Sequence, residues 1–102
     1  VREGYQRVAA LAEVPDGGCL AVELDGLALA LIRRGDRVTA FENRCPHAGA
    51  PLSEGFVEGD RLTCAWHGWS FDLDTGVSPD DPEMIVLRLE TVVEDGDVLV
   101  RK

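Results

Sequence analysis

Two short stretches of the chain gather thiols and imidazoles: Cys45-Pro46-His47 and Cys64-Ala65-Trp66-His67, with sixteen residues between His47 and Cys64. Thiolate and imidazole select zinc, copper or the iron of an iron–sulfur cluster over hard cations such as calcium and magnesium. A zinc finger normally completes its site with two histidines on a helix. Here each stretch offers one cysteine and one histidine, and no helical pattern follows. A [2Fe–2S] cluster has two irons, and two loops that each give one ligand to each iron satisfy it, with two thiolates on one metal and two imidazoles on the other. A non-redox zinc-binding interaction module is a rival from a different class.

The ligand types set the electrostatics of such a centre. With two thiolates and two neutral imidazoles the oxidised cluster is uncharged and the reduced one carries a single negative charge, whereas four thiolates would leave it more negative in both states. Adding an electron to a neutral centre works against less Coulomb repulsion, so histidine ligation raises the reduction potential. The electron is expected to settle on the histidine-ligated iron.

The elements that must position these residues are strands. Short β-rich stretches recur at close spacing, divided by Gly and Asp, and no convincing long helical pattern is present. Tyr5–Ala9, Cys19–Leu24, Leu27–Arg33 and Arg37–Phe41 read as an antiparallel meander, with Asp25-Gly26 its strongest turn signal and Arg34-Gly35-Asp36 a looser one. Leu11–Val14 has room for one short helical turn before Pro15. From Asn43 to Gly55 the alternation stops, as in a loop shaped by its backbone. Strand signals return at Phe56–Val57, Arg61–Cys64, Ser70–Leu73, Ile85–Val93 and Val98–Arg101, while Asp74–Glu83, with Pro79 and Pro82, reads as a loop without regular structure. The expectation is an all-β fold with an antiparallel, sandwich-like base and a small two-loop cluster-binding subdomain at about 43–76, within a single domain spanning 1–102.

Composition narrows the function classes. With 45% hydrophobic and 28% charged residues the chain has the make-up of a globular protein. Its net charge of −9 opposes binding to nucleic-acid phosphates or anionic lipid. No apolar run is long enough to span a bilayer and the first residues lack a secretory pattern, so a cytoplasmic protein is expected. Three cysteines, two of them beside histidines, make a poor disulfide framework. Cys19 lies in the apolar run Cys19-Leu20-Ala21-Val22 and reads as a small buried hydrophobe.

Cys45-Pro46-His47-Ala48-Gly49-Ala50-Pro51-Leu52 and the run from Cys64 through His67-Gly68-Trp69-Ser70-Phe71 to Gly76 resemble the two cluster-binding boxes of Rieske ferredoxins. The resemblance spans Phe41 to Gly76. It implies one Rieske-type [2Fe–2S] cluster with Cys45 and Cys64 on the inner iron and His47 and His67 on the outer one, their edges facing solvent. It further implies an electron carrier that is not itself an enzyme, fed by a flavoprotein NAD(P)H-dependent reductase and serving a terminal ring-hydroxylating oxygenase. The Rieske-like small subunit of an assimilatory nitrite reductase is the alternative. The chain departs from the usual Cys-Pro-Trp-His by having Ala65. The extra cysteines of high-potential members fall at Ala50 and Trp66, so no disulfide ties the boxes. Their Ser and Tyr hydroxyls fall at Trp69 and Phe71, which lack an O–H, so the potential is expected toward the low end of about −150 to +300 mV. Trp66, Trp69 and Phe71 read chiefly as packing residues that exclude water. Gly49, Gly55 and Gly68 suit turns and close approach of backbone N–H groups to sulfur. Pro79 and Pro82 either stiffen a surface loop or cover the cluster.

Overall fold

The computed structural model describes residues 4–44, 51–64, 69–79 and 81–101. Among the described residues nine strands form two antiparallel sheets: β1 (Tyr5–Ala10), β2 (Cys19–Leu24), β3 (Leu27–Arg34), β4 (Arg37–Glu42), β5 (Phe56–Glu58), β6 (Arg61–Thr63), β7 (Ser70–Asp72), β8 (Arg88–Glu94) and β9 (Asp97–Arg101). The larger sheet has the order β1-β9-β8-β4-β3-β2 and the smaller one β5-β6-β7. The base is therefore one six-stranded sheet, in which β1 also contacts β2, with a small three-stranded sheet beside it.

The Asp25-Gly26 turn forms where the sequence places it, and Asp95-Gly96, between the last two strand signals, forms a second of the same kind. Asp25-Gly26 and Asp95-Gly96 have positive φ at both residues, 50° and 84°, then 52° and 77°. That geometry matches the twist of the strands it joins, and Gly adopts it without a Cβ clash. Leu11–Glu13 forms a single 3₁₀ turn, and a second, Leu52–Glu54, follows the first ligand stretch.

Strand β3 is the shared wall of the molecule. One of its faces, Leu29 and Leu31, packs in the base core with Val38, Ala40, Leu89, Val98 and Val100. The other, Ala30 and Ile32, joins Phe41, Leu52, Leu62, Cys64, Phe71, Leu73 and Val86 in a second core beneath the small sheet. Burial on both faces explains the unbroken apolar run Leu29-Ala30-Leu31-Ile32 where a half-exposed strand would alternate.

One difference from expectation is the place of β1, which pairs with β9 at the sheet's far edge and leaves the meander to β2, β3 and β4, because the last hairpin lies between β1 and β4; the others lie at strand ends. Cys64 and Leu73 fall just beyond β6 and β7. The strand expected from Ile85 begins at Arg88. Residues 85–87 serve a connecting role instead: Ile85 bridges Val77, the Val86 N–H donates to the Gly76 carbonyl at 2.9 Å, and the Glu42 N–H donates to the Leu87 carbonyl at 2.9 Å. The loop after Asp74 is therefore tied back as an irregular hairpin. Among the described residues, no helix is long and apolar enough to cross a membrane.

Candidate metal centre

Cys64 is the described member of the four candidate ligands; Cys45, His47 and His67 lie outside the described residues. Its thiol is free and only 1% of the residue is exposed, packed in the second core with Phe41, Leu52, Leu62 and Phe71. A thiolate there is shielded from water, which suits a ligand to iron and does not suit a nucleophile toward a dissolved substrate.

The described residues fix the ends of both ligand stretches. Strand β4 ends at Glu42, and the next residue, Asn43, donates its N–H to the Ala28 carbonyl on β3 at 2.9 Å. After the undescribed residues the chain resumes at Pro51 and the fully buried Leu52. Across the mouth of this stretch the Asn43 side chain bonds Ser53 twice.

The second stretch is closed by its own sheet. The Cys64 N–H donates to the Trp69 carbonyl at 2.7 Å, so the ladder between β6 and β7 extends one bond beyond the strands. The next pair outward in the register is Thr63 opposite Ser70, whose hydroxyls lie 3.2 Å apart, and the Thr63 hydroxyl donates to Glu58 Oε1 at 2.9 Å. Strand β5, which follows the first stretch, pairs with β6, which leads into Cys64. The fold therefore brings the exit of one box against the entry of the other, as two loops serving one centre require.

Trp69 packs half-buried against this core and Phe71 is fully buried opposite Leu62, so both fill space as expected. Cys19 also packs against it, its Sγ 3.9 Å from the Gly55 carbonyl oxygen. Burial pushes the Cys19 thiol up to about 11, which keeps it protonated and uncharged, as suits a small hydrophobe. Asn43, Ser53 and Thr63 are supporting residues that composition and motif do not reveal, while Gly55 was expected as a residue of close backbone approach and meets the Thr63 backbone. Of those three, Asn43 carried a signal, as the first residue after strand alternation stops.

Charge is unevenly spread. Residues 43–84 hold eight acidic and two basic side chains, and so six of the nine excess negative charges. Arg34, only 17% exposed, reaches from β3 to Asp60 at 3.0 Å and Asp74 at 3.2 Å, tying the small sheet to the base. Exposed Ile85 and Leu87 line a shallow cleft of about 210 Å³ with Glu42 and Arg44, beside the entry to the first stretch.

A two-sheet antiparallel fold whose smaller sheet pairs the strand after one Cys/His stretch with the strand before the other fits a class of iron–sulfur protein. The chain belongs to the family described as Rieske [2Fe–2S] domain, which matches residues 4–89. Within that family it is similar to ferredoxin CarAc of Metapseudomonas resinovorans, at 36% identity over 98 residues covering 94% of this chain and 92% of the relative. A chain in the complex of reduced oxygenase and oxidised ferredoxin of carbazole 1,9a-dioxygenase superposes with a TM-score of 0.84 at 32% identity, covering 98% of this chain and 94% of that one. A candidate NADH-dependent nitrite reductase small subunit from Mycobacterium tuberculosis superposes with a TM-score of 0.87 at 29% identity, over 94% and 92%. The chain is a Rieske [2Fe–2S] ferredoxin, an electron carrier and not itself a catalyst.

Proposed function

We propose that this ferredoxin takes single electrons from a flavin-containing NAD(P)H-dependent reductase and delivers them to the terminal oxygenase of a ring-hydroxylating dioxygenase system. Cys45 and Cys64 hold one iron in this reading, and His47 and His67 the other. The observation that carries it is likeness along nearly the whole chain, in sequence and in fold, to ferredoxins, one of them matched in a complex with its oxygenase. When bound, the cluster accepts and releases one electron, and no bond in a substrate is broken.

The residues of the chain do the rest. The apolar core around Cys64 excludes water from the inner thiolate, so little solvent reorganises when the charge changes. Hydrogen bonds at the base of both stretches, Asn43 with Ser53 and Cys64 with Trp69, fix the chain where each stretch begins and ends. The acidic excess around the site orients it toward a basic docking face and speeds encounter at low ionic strength. A reducing, cytoplasmic setting suits Cys19, a thiol in no disulfide, and a cluster held by thiolates.

Two measurements test this reading. Purified protein is expected to hold two irons and two sulfides per chain, to lose them when any of the four ligands is replaced by Ala, and to show a low-average-g signal when reduced; a colourless protein with one zinc refutes it. Rapid mixing of the reduced protein with an oxygenase of this type is expected to oxidise it within the turnover time. The superposition on a nitrite reductase small subunit favours a second reading, a fixed subunit. Co-purification with a large sirohaem protein, and no transfer to the oxygenase, would establish that one instead.

A further inference from the structure

We propose that Asn43 is a positioning residue for the cluster, clamping the mouth of the loop that carries Cys45 and His47 with a neutral amide. The inference rests on the ligand assignment above. The backbone N–H of Ser53 donates to Asn43 Oδ1 at 2.8 Å, and Asn43 Nδ2 donates to Ser53 Oγ at 3.0 Å. An N–H can only donate, so Oδ1 must face Ser53 N, and the orientation of the amide follows from the bonding. Both bonds are half-buried, where water competes poorly for them.

The clamp is fixed to the fold on either side. Asn43 donates its own N–H to Ala28 on β3. Ser53 follows fully buried Leu52, and two residues on Gly55 lies against Thr63, the neighbour of Cys64. A continuous series of contacts thus runs from the base sheet through Asn43 and Ser53 to the second ligand box. Without it, the residues from 44 to 52 would join two ends free to separate, and the ligands they carry would sample more than one arrangement about the metal.

Asparagine meets both demands of the position. Its amide supplies the acceptor that Ser53 N–H needs and a donor for the hydroxyl. It adds no charge two residues from Cys45, where a carboxylate would oppose arrival of the electron. Aspartate could keep the clamp, since a carboxylate accepts from both the N–H and the O–H of Ser53, but it would bring that charge.

The test uses the holoprotein and three variants, Asn43→Ala, Asn43→Asp and Ser53→Ala. The readouts are cluster loss to an iron chelator, the line width of the reduced cluster's electron paramagnetic resonance signal, and the reduction potential. Asn43→Ala is expected to release the cluster about tenfold faster with a broadened signal, while the circular dichroism of the base sheet is unchanged. Asn43→Asp is expected to retain it near the parent rate with a narrow signal and a lowered potential. This rescue paired with a potential shift separates positioning from a general loss of stability. The proposal is overturned if Asn43→Ala matches the parent in rate and line shape, or if Asn43→Asp releases as fast as Asn43→Ala. Should Asn43→Ala not fold, Ser53→Ala decides: faster release upholds the clamp, and an unchanged rate overturns it. Failure of the ligand assignment is read separately, from a Cys45→Ala or His47→Ala protein that keeps two irons per chain.

Discussion

Gly55 lies so close to Thr63 that a Cβ on it would overlap the Thr63 carbonyl oxygen and stand 3.1 Å from that of Leu52. Thr63 precedes Cys64, and Gly55 ends the first ligand stretch. The two boxes therefore meet backbone to backbone, with no space for a side chain between them.

The backbone of Gly55 is ordinary, with φ −80°, so the harm of Gly55→Ala comes from steric overlap alone. The expected loss is about 1–3 kcal/mol, as for other overpacked sites, together with reduced iron content. Gly59→Ala is the control: φ there is +61° and nothing lies within 4 Å, so it costs about 1–2 kcal/mol in backbone strain and leaves the iron in place. Urea unfolding and iron analysis of both variants check this. Equal iron loss in the two would show that the contact between the boxes is not what matters.

Much of this architecture was legible in the residues, for identifiable reasons. Asp25-Gly26 and Asp95-Gly96 announce their hairpins because few other dipeptides accept positive φ twice. The two proposed ligand boxes stand out because Cys and His are scarce in the chain and recur together in two short patterns. Strand ends were harder: Ile85–Leu87 has the composition of β8 but bonds to Val77, Gly76 and Glu42 instead, a choice made by tertiary packing. The Asn43–Ser53 and Gly55–Thr63 contacts join residues eight to ten positions apart in irregular backbone, where no periodicity marks a partner.

Arg34 is the main ionic tie between the sheets, and its value is modest because Asp60 and Asp74 are 80% and 52% exposed. Its own side chain is mostly buried, so part of its contribution is the packing of its stem. Arg34→Met should keep that packing and lose the charge, lowering stability by about 0.5–1 kcal/mol. High salt should shrink the difference between parent and variant. Urea titrations at low and high ionic strength measure it, and a salt-independent loss would assign the effect to packing.

Cys19 should react slowly with alkylating reagents in the folded protein. Burial raises its thiol from 9.0 to about 11, so at pH 8 the thiolate fraction is about a hundredfold below that of the unfolded chain. The rate should climb with pH until about 11. The sign for stability follows: the unfolded chain releases this proton first, so stability falls as pH rises from about 9 to about 11, and Cys19→Ala removes that part of the slope. Iodoacetamide kinetics with mass-spectrometric site assignment test the first statement. Rapid alkylation of Cys19 at pH 8 in folded protein would contradict it.

The potential is expected to depend partly on what the second box lacks. The resemblance of this box to Rieske ferredoxins implies that Trp69 and Phe71 stand where high-potential members carry hydroxyls, and neither ring can donate an O–H bond to the cluster or its thiolates. Phe71 is fully buried in the same core as Cys64, so a hydroxyl added there either finds an acceptor within that core or stays unpaired. The two cases separate experimentally. A bond to sulfur strengthens as the cluster gains negative charge, so a difference of about 1 kcal/mol between redox states would raise the potential of Phe71→Tyr by about 40 mV. An unpaired hydroxyl would leave the potential alone and lower stability by about 1–3 kcal/mol. Trp69→Ser should raise the potential by the same route but also empties ring volume packed on the core, so it loses stability in either case. Protein-film voltammetry combined with urea unfolding resolves these outcomes. If neither variant moves the potential, the low value expected here owes nothing to the missing hydroxyls, and the charge and solvent exposure of the ligands must account for it.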